Sequence, residues 1–273
     1  MKWIIRWASR HIPRKYLQMF SKPVLNVLAF FYRGQRVHCP VDGRSYRKFL
    51  TYGRVHPRPN ALCPGSLTLE RHRLLWLYLK KKTNFFDQPI RLLHVAPEIC
   101  FVERLERLAH IDYVSADLDS PWAQVKMDLH DVPFADDSFD VVLCNHVMEH
   151  VRDDIRCMQE IHRVLKPGGW AIIQSPTYDL AVTHEDPSIT DPKERERVYG
   201  QNDHLRRYGH DYGDRLRQAG FVVTEDDYVK HLSEEQVRYY ALLPEEIVYF
   251  CKKKESSTTP ADDAGQPVSA AVS

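Results

Sequence analysis

The sequence predicts an α/β fold in which a doubly wound, mostly parallel sheet of seven strands occupies residues 89–253, preceded by a helical arm. From Ile90 onward, short apolar runs alternate with amphipathic segments of helical length. Residues 140–144 are apolar after the first position, as expected of a strand that is buried on both faces. The hydrophobic content, 43% of 273 residues, is that of an ordinary globular protein.

The elements of this domain are predicted from apolar runs and from the residues that end them. The predicted strands cover residues 91–96, 112–116, 125–127, 140–144, 170–174, 221–224 and 247–251, and the last two are expected to close the sheet in antiparallel. Helices are predicted over residues 100–109, 154–165 and 212–219. Lys166-Pro167-Gly168-Gly169 is expected to end the second helix and turn the chain, and Gly220 to cap the third. In such sheets a ligand binds beyond the carboxyl ends of the strands.

Three further segments flank the domain. Residues 1–36 are predicted to form a basic amphipathic helical arm, because no Asp or Glu precedes Asp42. Residues 37–88 are predicted to be a turn-rich segment followed by a helix with Ser66 as its N-cap and lysines 80–82 at its end. Residues 254–273, rich in Ser, Thr, Pro and Ala, are predicted to be a disordered tail.

The role of the arm stays open between three alternatives. It docks on the domain as a lid, contacts an anionic membrane surface, or serves as an organellar transit peptide.

Charge and cysteine usage exclude several classes of function. The formal net charge of +1 argues against binding nucleic acid as the main activity. The six cysteines are scattered, which favours reduced thiols in a cytoplasmic protein over a disulfide framework. The longest apolar run, residues 24–32, is too short to cross a bilayer.

Three motifs together carry a resemblance to a known family. They are MDLHDVPFADDSFD at residues 127–140, VVLCNHVMEHV at residues 141–151 and RVLKPGG at residues 163–169. In order and spacing they resemble the class I methyltransferases of type 11, which have a Rossmann-like fold and use S-adenosylmethionine (SAM). The likeness covers residues 91–175 closely and the rest of the domain loosely.

The resemblance implies roles for residues that follow the strands. Asp117 corresponds to the acid that binds both ribose hydroxyls of SAM, and Asp128 to the acid that accepts from the adenine amino group. The alternative is that both acids are solvated loop residues. The set of cofactor-binding residues that the resemblance implies is His94, Ala96, Glu98, Asp117, Leu118, Asp128, Leu129, Asn145 and His146.

One loop departs from the family pattern. After the first strand the family has a glycine-rich loop, whereas Ala96, Glu98 and Cys100 stand at the glycine positions here and His94 replaces an acid. The chain resembles a branch with an H-x-A-P-E version, in which Glu98 pairs with the α-ammonium of SAM. The alternative is a degenerate loop that binds no cofactor. A loop so poor in glycine also argues against a nicotinamide enzyme, because a pyrophosphate needs the bare backbone more than SAM does.

The candidate catalytic residues are His204, Tyr208 and His150. The first two lie in residues 183–211, where the family builds its acceptor pocket, and a histidine there can take a proton from an acceptor. The alternatives are that this segment is a solvated loop and that Glu149 and His150 only orient the loop after the fourth strand.

The sequence predicts a methyltransferase that acts on the O, N or C nucleophile of a small molecule. Two alternatives stay open: an inactive methyltransferase-like binding module, and a membrane-peripheral enzyme that acts on a lipid or quinone.

The segment before the domain resembles a zinc knuckle that has lost half of its thiols. Cys39 and Cys63 each head a pair whose second cysteine is missing, and Asp42 lies near the first. Structural zinc needs four ligands, so the sequence predicts a vestigial knuckle and no metal site. The alternative is that His38 or His72 completes the ligand set.

Overall fold

The computed structural model describes residue 25 and residues 27–53, 57–121 and 123–255. Most of the predicted arm and nearly all of the predicted tail therefore lie outside the described residues. Within the described part, no helix is both long enough and apolar enough to cross a bilayer.

Two short antiparallel hairpins and a helix precede the sheet. The first hairpin pairs β1 (Arg33–Cys39) with β2 (Arg44–Tyr46), and the second pairs β3 (Leu50–Tyr52) with β4 (Arg58–Leu62). The helix α1 covers Glu70–Lys82.

The prediction of a helical arm up to residue 36 is wrong, because β1 begins at Arg33 and pairs with β2. The predicted N-cap at Ser66 is also wrong. Leu69 is the N-cap, its backbone N–H donates to the ring of His72, and the hydroxyl of Ser66 lies 3.0 Å from that of Thr68. The predicted end of the helix at the lysine run is confirmed.

The following segment alternates strands and helices. Its strands are β5 (Ile90–Val95), β6 (Ile111–Asp117), β7 (Val125–Lys126), β8 (Phe139–Asn145) and β9 (Leu165–Gln174). Its helices are α2 (Ile99–Leu105) and α3 (Asp154–Val164).

The last part of the chain adds two more strands of the large sheet. Its elements are the short pair β10 (His184–Glu185) and β11 (Arg206–Arg207), then α4 (Pro192–Tyr199), α5 (Tyr212–Gln218), β12 (Val222–Asp226), a 3-10 turn (Tyr228–His231), α6 (Glu234–Tyr240) and β13 (Val248–Lys252).

The seven-stranded sheet has the order β12-β13-β9-β8-β5-β6-β7. Strands β5 to β9 run parallel to their neighbours, whereas β13 pairs antiparallel with both β9 and β12. The predicted α/β fold with a seven-stranded sheet is thereby confirmed. Because β13 lies between β9 and β12, it alone runs against the other six strands of this sheet.

Along each central strand, successive apolar side chains point to opposite faces of the sheet and pack into two separate cores. On one face Leu92, Val141 and Ile172 pack with the apolar side chains of α1 and α2. On the other face Leu93 and Val142 pack with α3 and α5. Burial on both faces explains why the central strands are continuously apolar.

One predicted turn is wrong. Lys166-Pro167-Gly168-Gly169 does not separate a helix from a strand, because β9 begins at Leu165 and contains all four residues. Phe139 pairs with Leu165 and Val141 with Trp170, so the four residues form a bulge. Gly168, at φ 78°, has the left-handed conformation that favours glycine in such a bulge.

Candidate functional site

The carboxyl ends of four neighbouring strands bring the predicted cofactor residues to one edge of the sheet. Val95, the last residue of β5, is in register with Ala116 of β6 and with Cys144 of β8. Asp117 at the end of β6 is in register with Lys126 of β7. Asp117, Asp128, Asn145 and the loop after β5 therefore lie along the same edge, where the topology predicts a ligand.

The loop after β5 keeps the backbone shape of a glycine loop without its glycines. Ala96 has φ 49°, in the left-handed region that costs a non-glycine residue energy, and its N–H donates to the carbonyl of Ala116 at 2.9 Å. Glu98 then serves as the N-cap residue of α2, with extended backbone. The left-handed turn at Ala96 directs the chain across the end of the sheet.

The carboxylate of Glu98 is turned inward between β5, β8 and α1. One of its oxygens lies 2.9 Å from Nε2 of His94 and accepts from the amide of Asn145 at 3.2 Å. The other lies 3.5 Å from Nε2 of His72. Burial opposes ionisation, but the interactions with His72 and His94 hold the pKa of Glu98 well below its usual range. Glu98 is therefore a largely enclosed carboxylate, 15% exposed, that is charged at neutral pH.

Only one of the two polar side-chain atoms of Asn145 has a hydrogen-bond partner among the described residues. Its amide nitrogen donates to Glu98, whereas its oxygen is buried without a hydrogen-bond partner among the described residues. A pocket of about 280 Å³, including its open mouth, lies beside it. The pocket is lined by Arg71, His72, Leu74, Leu75, Glu98, Asn145, His146, Gln174 and Val248.

Asp117 and Asp128 each accept hydrogen bonds within their own loops. Oδ1 of Asp117 accepts from the backbone N–H groups of Asp119 and Ser120, at 2.8 and 2.6 Å. Oδ1 of Asp128 accepts from the backbone N–H of His130 and lies 2.7 Å from that residue's Nδ1. These hydrogen bonds from His130 lower the pKa of Asp128. Both carboxylates are thereby oriented by their turns.

The two leucines predicted beside these acids differ in exposure. Leu118 is 53% exposed at the end of β6, whereas Leu129 is buried in the core. Leu118 therefore has surface to offer a ligand, whereas almost all of the Leu129 side chain packs in the core.

The loop after β8 begins with a second residue in the left-handed region. His146 has φ 56°, its N–H donates to the carbonyl of Gln174 at 2.7 Å, and its Nδ1 lies 3.4 Å from Oε1 of Glu149. Glu149 also accepts from the hydroxyl of Ser175 at 2.6 Å. Burial opposes its ionisation, but the interactions with His146 and Ser175 lower the pKa of Glu149.

His204 lies beside the same loop. It is 3% exposed, and its ring meets that of His150 edge to face with centroids 4.7 Å apart. Burial lowers the pKa of His204, so the ring is neutral at neutral pH. His150 is partly exposed, and its Nδ1 lies 3.5 Å from a carboxylate oxygen of Asp203. The structure thus brings His150 and His204 together, and their catalytic roles stay predictions.

Tyr208 has a different environment. It is fully buried, and its hydroxyl donates to the carbonyl of Met148 at 3.0 Å and to Asp154 at 2.8 Å. Burial and the neighbouring carboxylate raise the pKa of Tyr208 well above its usual value. These contacts favour a structural role, and the predicted catalytic role has no support from the geometry.

The two cysteines and the acid of the predicted knuckle lie close together where the two hairpins meet, and whether they hold a metal stays a prediction. The sulfur of Cys39 lies 3.3 Å from the hydroxyls of Ser66 and Thr68, and the thiol of Cys63 donates to Asp42 at 3.5 Å. Burial opposes ionisation, but the hydrogen bonds with Cys63, Ser66 and Thr68 together lower the pKa of Cys39 to about 7. All six cysteines are buried free thiols, as predicted.

Sequence reasoning missed the contribution of α1 to the site. Arg71 and His72 line the pocket with Glu98, although they lie before the sheet in the chain. In the sequence they belong to the predicted helix that ends at lysines 80–82, with no pattern that links them to the sheet. The packing of this helix against the loop after β5 depends on tertiary structure.

Part of the chain matches a known protein family. Residues 99–173 match the family described as a methyltransferase domain. This match supports the predicted resemblance to methyltransferases, whereas the H-x-A-P-E branch stays a prediction.

The curated proteins that share sequence with the chain include three enzymes. It is 32% identical over 174 residues to a malonyl-[acyl-carrier protein] O-methyltransferase of Halorhodospira halophila, covering 62% of this chain and 50% of that protein. It is 43% identical over 51 residues to a 2-phytyl-1,4-naphtoquinone methyltransferase of Nostoc punctiforme, covering 19% and 22%. It is 32% identical over 162 residues to a mitochondrial arginine-hydroxylase, NDUFAF5, of Danio rerio, covering 55% and 47%. The chain spans half or less of the length of each.

Solved structures with related folds include two of known chemistry. The first is a Burkholderia thailandensis 1,6-didemethyltoxoflavin-N1-methyltransferase with bound S-adenosylhomocysteine (TM-score 0.41, 16% identity, 62% of this chain and 72% of that chain). The second is the [4+2]-cyclase SpnF (TM-score 0.45, 16% identity, 87% and 95%).

Proposed function

We propose that this chain is a SAM-dependent methyltransferase that transfers a methyl group to an O, N or C nucleophile of a small-molecule acceptor. The observation that carries the proposal is the gathering of Asp117, Asp128, Glu98 and Asn145 along one edge of the sheet. The match of residues 99–173 to a methyltransferase domain supports the same class of reaction.

The residues at this edge fit the polar groups of SAM. The unpartnered oxygen of Asn145 and the carboxylate of Glu98 offer two acceptors for an α-ammonium group. Asp117, held by its turn, is suited to accept from two ribose hydroxyls, and Asp128 from an adenine amino group. Leu118 has the exposed apolar surface that an adenine ring needs.

When bound, SAM supplies an electrophilic methyl group on a positively charged sulfur. The chain's own part is to hold donor and acceptor in line, which alone accounts for a large share of the rate in such reactions. His146 leaves the end of β8 beside Glu149, with His150 and His204 next to it, so this side of the loop is suited to the acceptor. His150, which is partly exposed, is a candidate to take the proton of an acceptor hydroxyl or amine.

A second candidate function is an inactive methyltransferase-like module. One observation favours it: the carboxylate of Glu98 already has His94 and Asn145 as partners and His72 nearby. In that case the carboxylate fills the place of a ligand and no ammonium group is needed.

Calorimetry with SAM and S-adenosylhomocysteine tests whether the site binds a cofactor. Asp117→Asn keeps an oxygen for the turn N–H groups but removes the charge, so we expect affinity to fall about 10- to 100-fold, the effect of losing a charged hydrogen bond. The matched control is Asp112→Asn, an exposed acid at the other end of the same strand, which we expect to bind normally. Absence of binding by the folded wild-type protein contradicts the proposal.

Glu98→Gln separates the two candidate functions. If Glu98 pairs with an ammonium group, loss of its charge weakens SAM binding by about 10-fold or more. If Glu98 blocks the site, neutralising it leaves affinity unchanged or raises it. A rise in affinity favours the inactive module.

A further inference from the structure

The buried histidine beside the acceptor side of the loop has no hydrogen bonds to explain its position. His204 is 3% exposed, and both of its ring nitrogens are buried without a hydrogen-bond partner. The carbonyl oxygen of Tyr199 interacts with the ring only weakly and outside hydrogen-bond geometry. Among the histidines that the structure describes, no other leaves both nitrogens buried and unpartnered. Buried polar groups in folded proteins are nearly always satisfied, so these nitrogens indicate a missing ligand.

Two other metal-binding side chains face this ring. One donor atom each from Glu149, His150 and His204 lies within 4.8 Å of the other two. A backbone hydrogen bond joins the segment that contains His204 to the loop that contains Glu149 and His150: the N–H of Leu205 donates to the carbonyl of Glu149 at 2.8 Å. Ligand atoms around a tetrahedral ion are about 3.4 Å apart, so the three side chains need to close by at most about 1.5 Å.

The groups around these three side chains are of the kind that orient metal ligands. The hydroxyl of Ser175 donates to Glu149, and Asp203 lies 3.5 Å from Nδ1 of His150. A carboxylate behind a histidine fixes the ring and strengthens its other nitrogen as a ligand. The partly exposed side chain of His150 leaves a path for an ion from solvent.

We propose that Glu149, His150 and His204 bind one divalent transition-metal ion, of the class of Zn²⁺ or Fe²⁺. Two imidazoles and one carboxylate are a donor set that these ions prefer over Mg²⁺ or Ca²⁺. Three protein ligands leave a fourth position for water or for an acceptor oxygen. In this role His150 and His204 are both ligands and not proton acceptors, and the ion replaces the candidate base named above as well as the sequence prediction of no metal site.

The test uses the full chain, freed of metal with a chelator and titrated with Co²⁺, which reports its ligands by its absorption spectrum. We expect one equivalent to bind with the spectrum of nitrogen and oxygen ligands. His150→Gln and His204→Gln are each expected to weaken binding by about 10-fold or more. His150 is partly exposed, so its variant keeps the test valid if His204→Gln does not fold.

The matched control is His162→Gln. His162 packs against Phe221, outside the cluster, and we expect its variant to bind as the wild type does. Two other groups of side chains are also spaced for an ion, Cys39 with Asp42 and Cys63, and Asp226 with Asp227 and His231. A spectrum with thiolate charge-transfer bands would place the ion on the cysteines and overturn the proposal. Unchanged affinity in both histidine variants, or no binding by the wild type, would also overturn it.

Discussion

Two buried polar clusters share the loop after β8, and they differ in how fully their hydrogen bonds are satisfied. Arg206 is 1% exposed, and it donates to Glu185 and to three backbone carbonyls of the loop. Asp154 beside it accepts from Arg215 and from Tyr208. His204, two residues before Arg206 and equally buried, has no hydrogen bond on either ring nitrogen.

The difference shows which buried polar groups support the fold and which are available to a ligand. A cluster in which every donor has an acceptor fixes the loop against α3 and α5, and removing one member leaves its partners unpaired. A buried histidine without partners contributes no such stability. We therefore expect substitutions in the first cluster to lower the free energy of unfolding, and substitutions of His204 to affect binding instead.

The largest effect is expected for Asp154→Asn. It removes the charge that pairs with Arg215, which then keeps only the more distant Glu185 at 3.8 Å, and breaking a buried ion pair costs about 3–5 kcal/mol. Urea unfolding at neutral pH measures the loss. The control is Asp136→Asn, whose exposed ion pair with Arg163 is worth about 1 kcal/mol or less. If Asp154→Asn loses no more stability than this control does, the satisfied cluster is not what stabilises the loop.

The pH dependence of stability isolates the charge of Asp154. Burial opposes its ionisation, but Arg215 and Arg206 hold the pKa of Asp154 below its ordinary value of 3.8. A carboxyl with a lowered pKa stabilises the fold above that ordinary value, and the contribution is lost as the pH falls through the lowered pKa. The stability difference between wild type and Asp154→Asn should therefore shrink on acidification below about pH 4. A constant difference across this range would contradict the assignment.

A smaller effect is expected for Tyr208→Phe. It removes one hydroxyl that donates within the satisfied cluster, which is worth about 1–2 kcal/mol. Because the hydroxyl is buried in that cluster, we expect SAM affinity and any methyl transfer to stay unchanged. Loss of turnover with normal stability would restore the catalytic role predicted from the sequence.

The smallest effect on stability is expected for His204→Leu in the presence of a chelator. Replacing an unsatisfied imidazole with an apolar side chain of similar size should change stability by less than about 1 kcal/mol, or raise it. Thermal unfolding with and without Zn²⁺ completes the comparison, because bound metal stabilises only a protein that can hold it. A stability loss as large as that of Asp154→Asn would show that His204 belongs to the satisfied cluster.

The fold was predictable because its signals are local. The apolar runs in β5, β6 and β8 gave strands within one or two residues of their ends, and the sheet class followed from their alternation with helices. The bulge at Gly168 was missed because Pro-Gly-Gly is typical of a turn after a helix. The sequence around Pro167-Gly168-Gly169 does not show that β9 already pairs with β8 at Leu165.

The site was predictable only where residues directly follow strands. Asp117 and Asn145 end β6 and β8, so the topology alone places them at the ligand edge. The approach of His72 to Glu98, and of His204 to Glu149, joins segments 26 and 55 residues apart. Such contacts depend on how α1 and the segment after β9 pack onto the sheet. Local sequence patterns do not predict this packing.

The placement of β13 between β9 and β12 has a consequence for synthesis in the cell. Until residues 248–252 leave the ribosome, one side of β9 has no neighbour and β12 has no partner at all. The nascent chain therefore presents an open strand edge, which is prone to pair with other chains. A premature stop before Val248 is thus expected to send the product to chaperones or into aggregates, although every residue of the proposed cofactor edge would already be present.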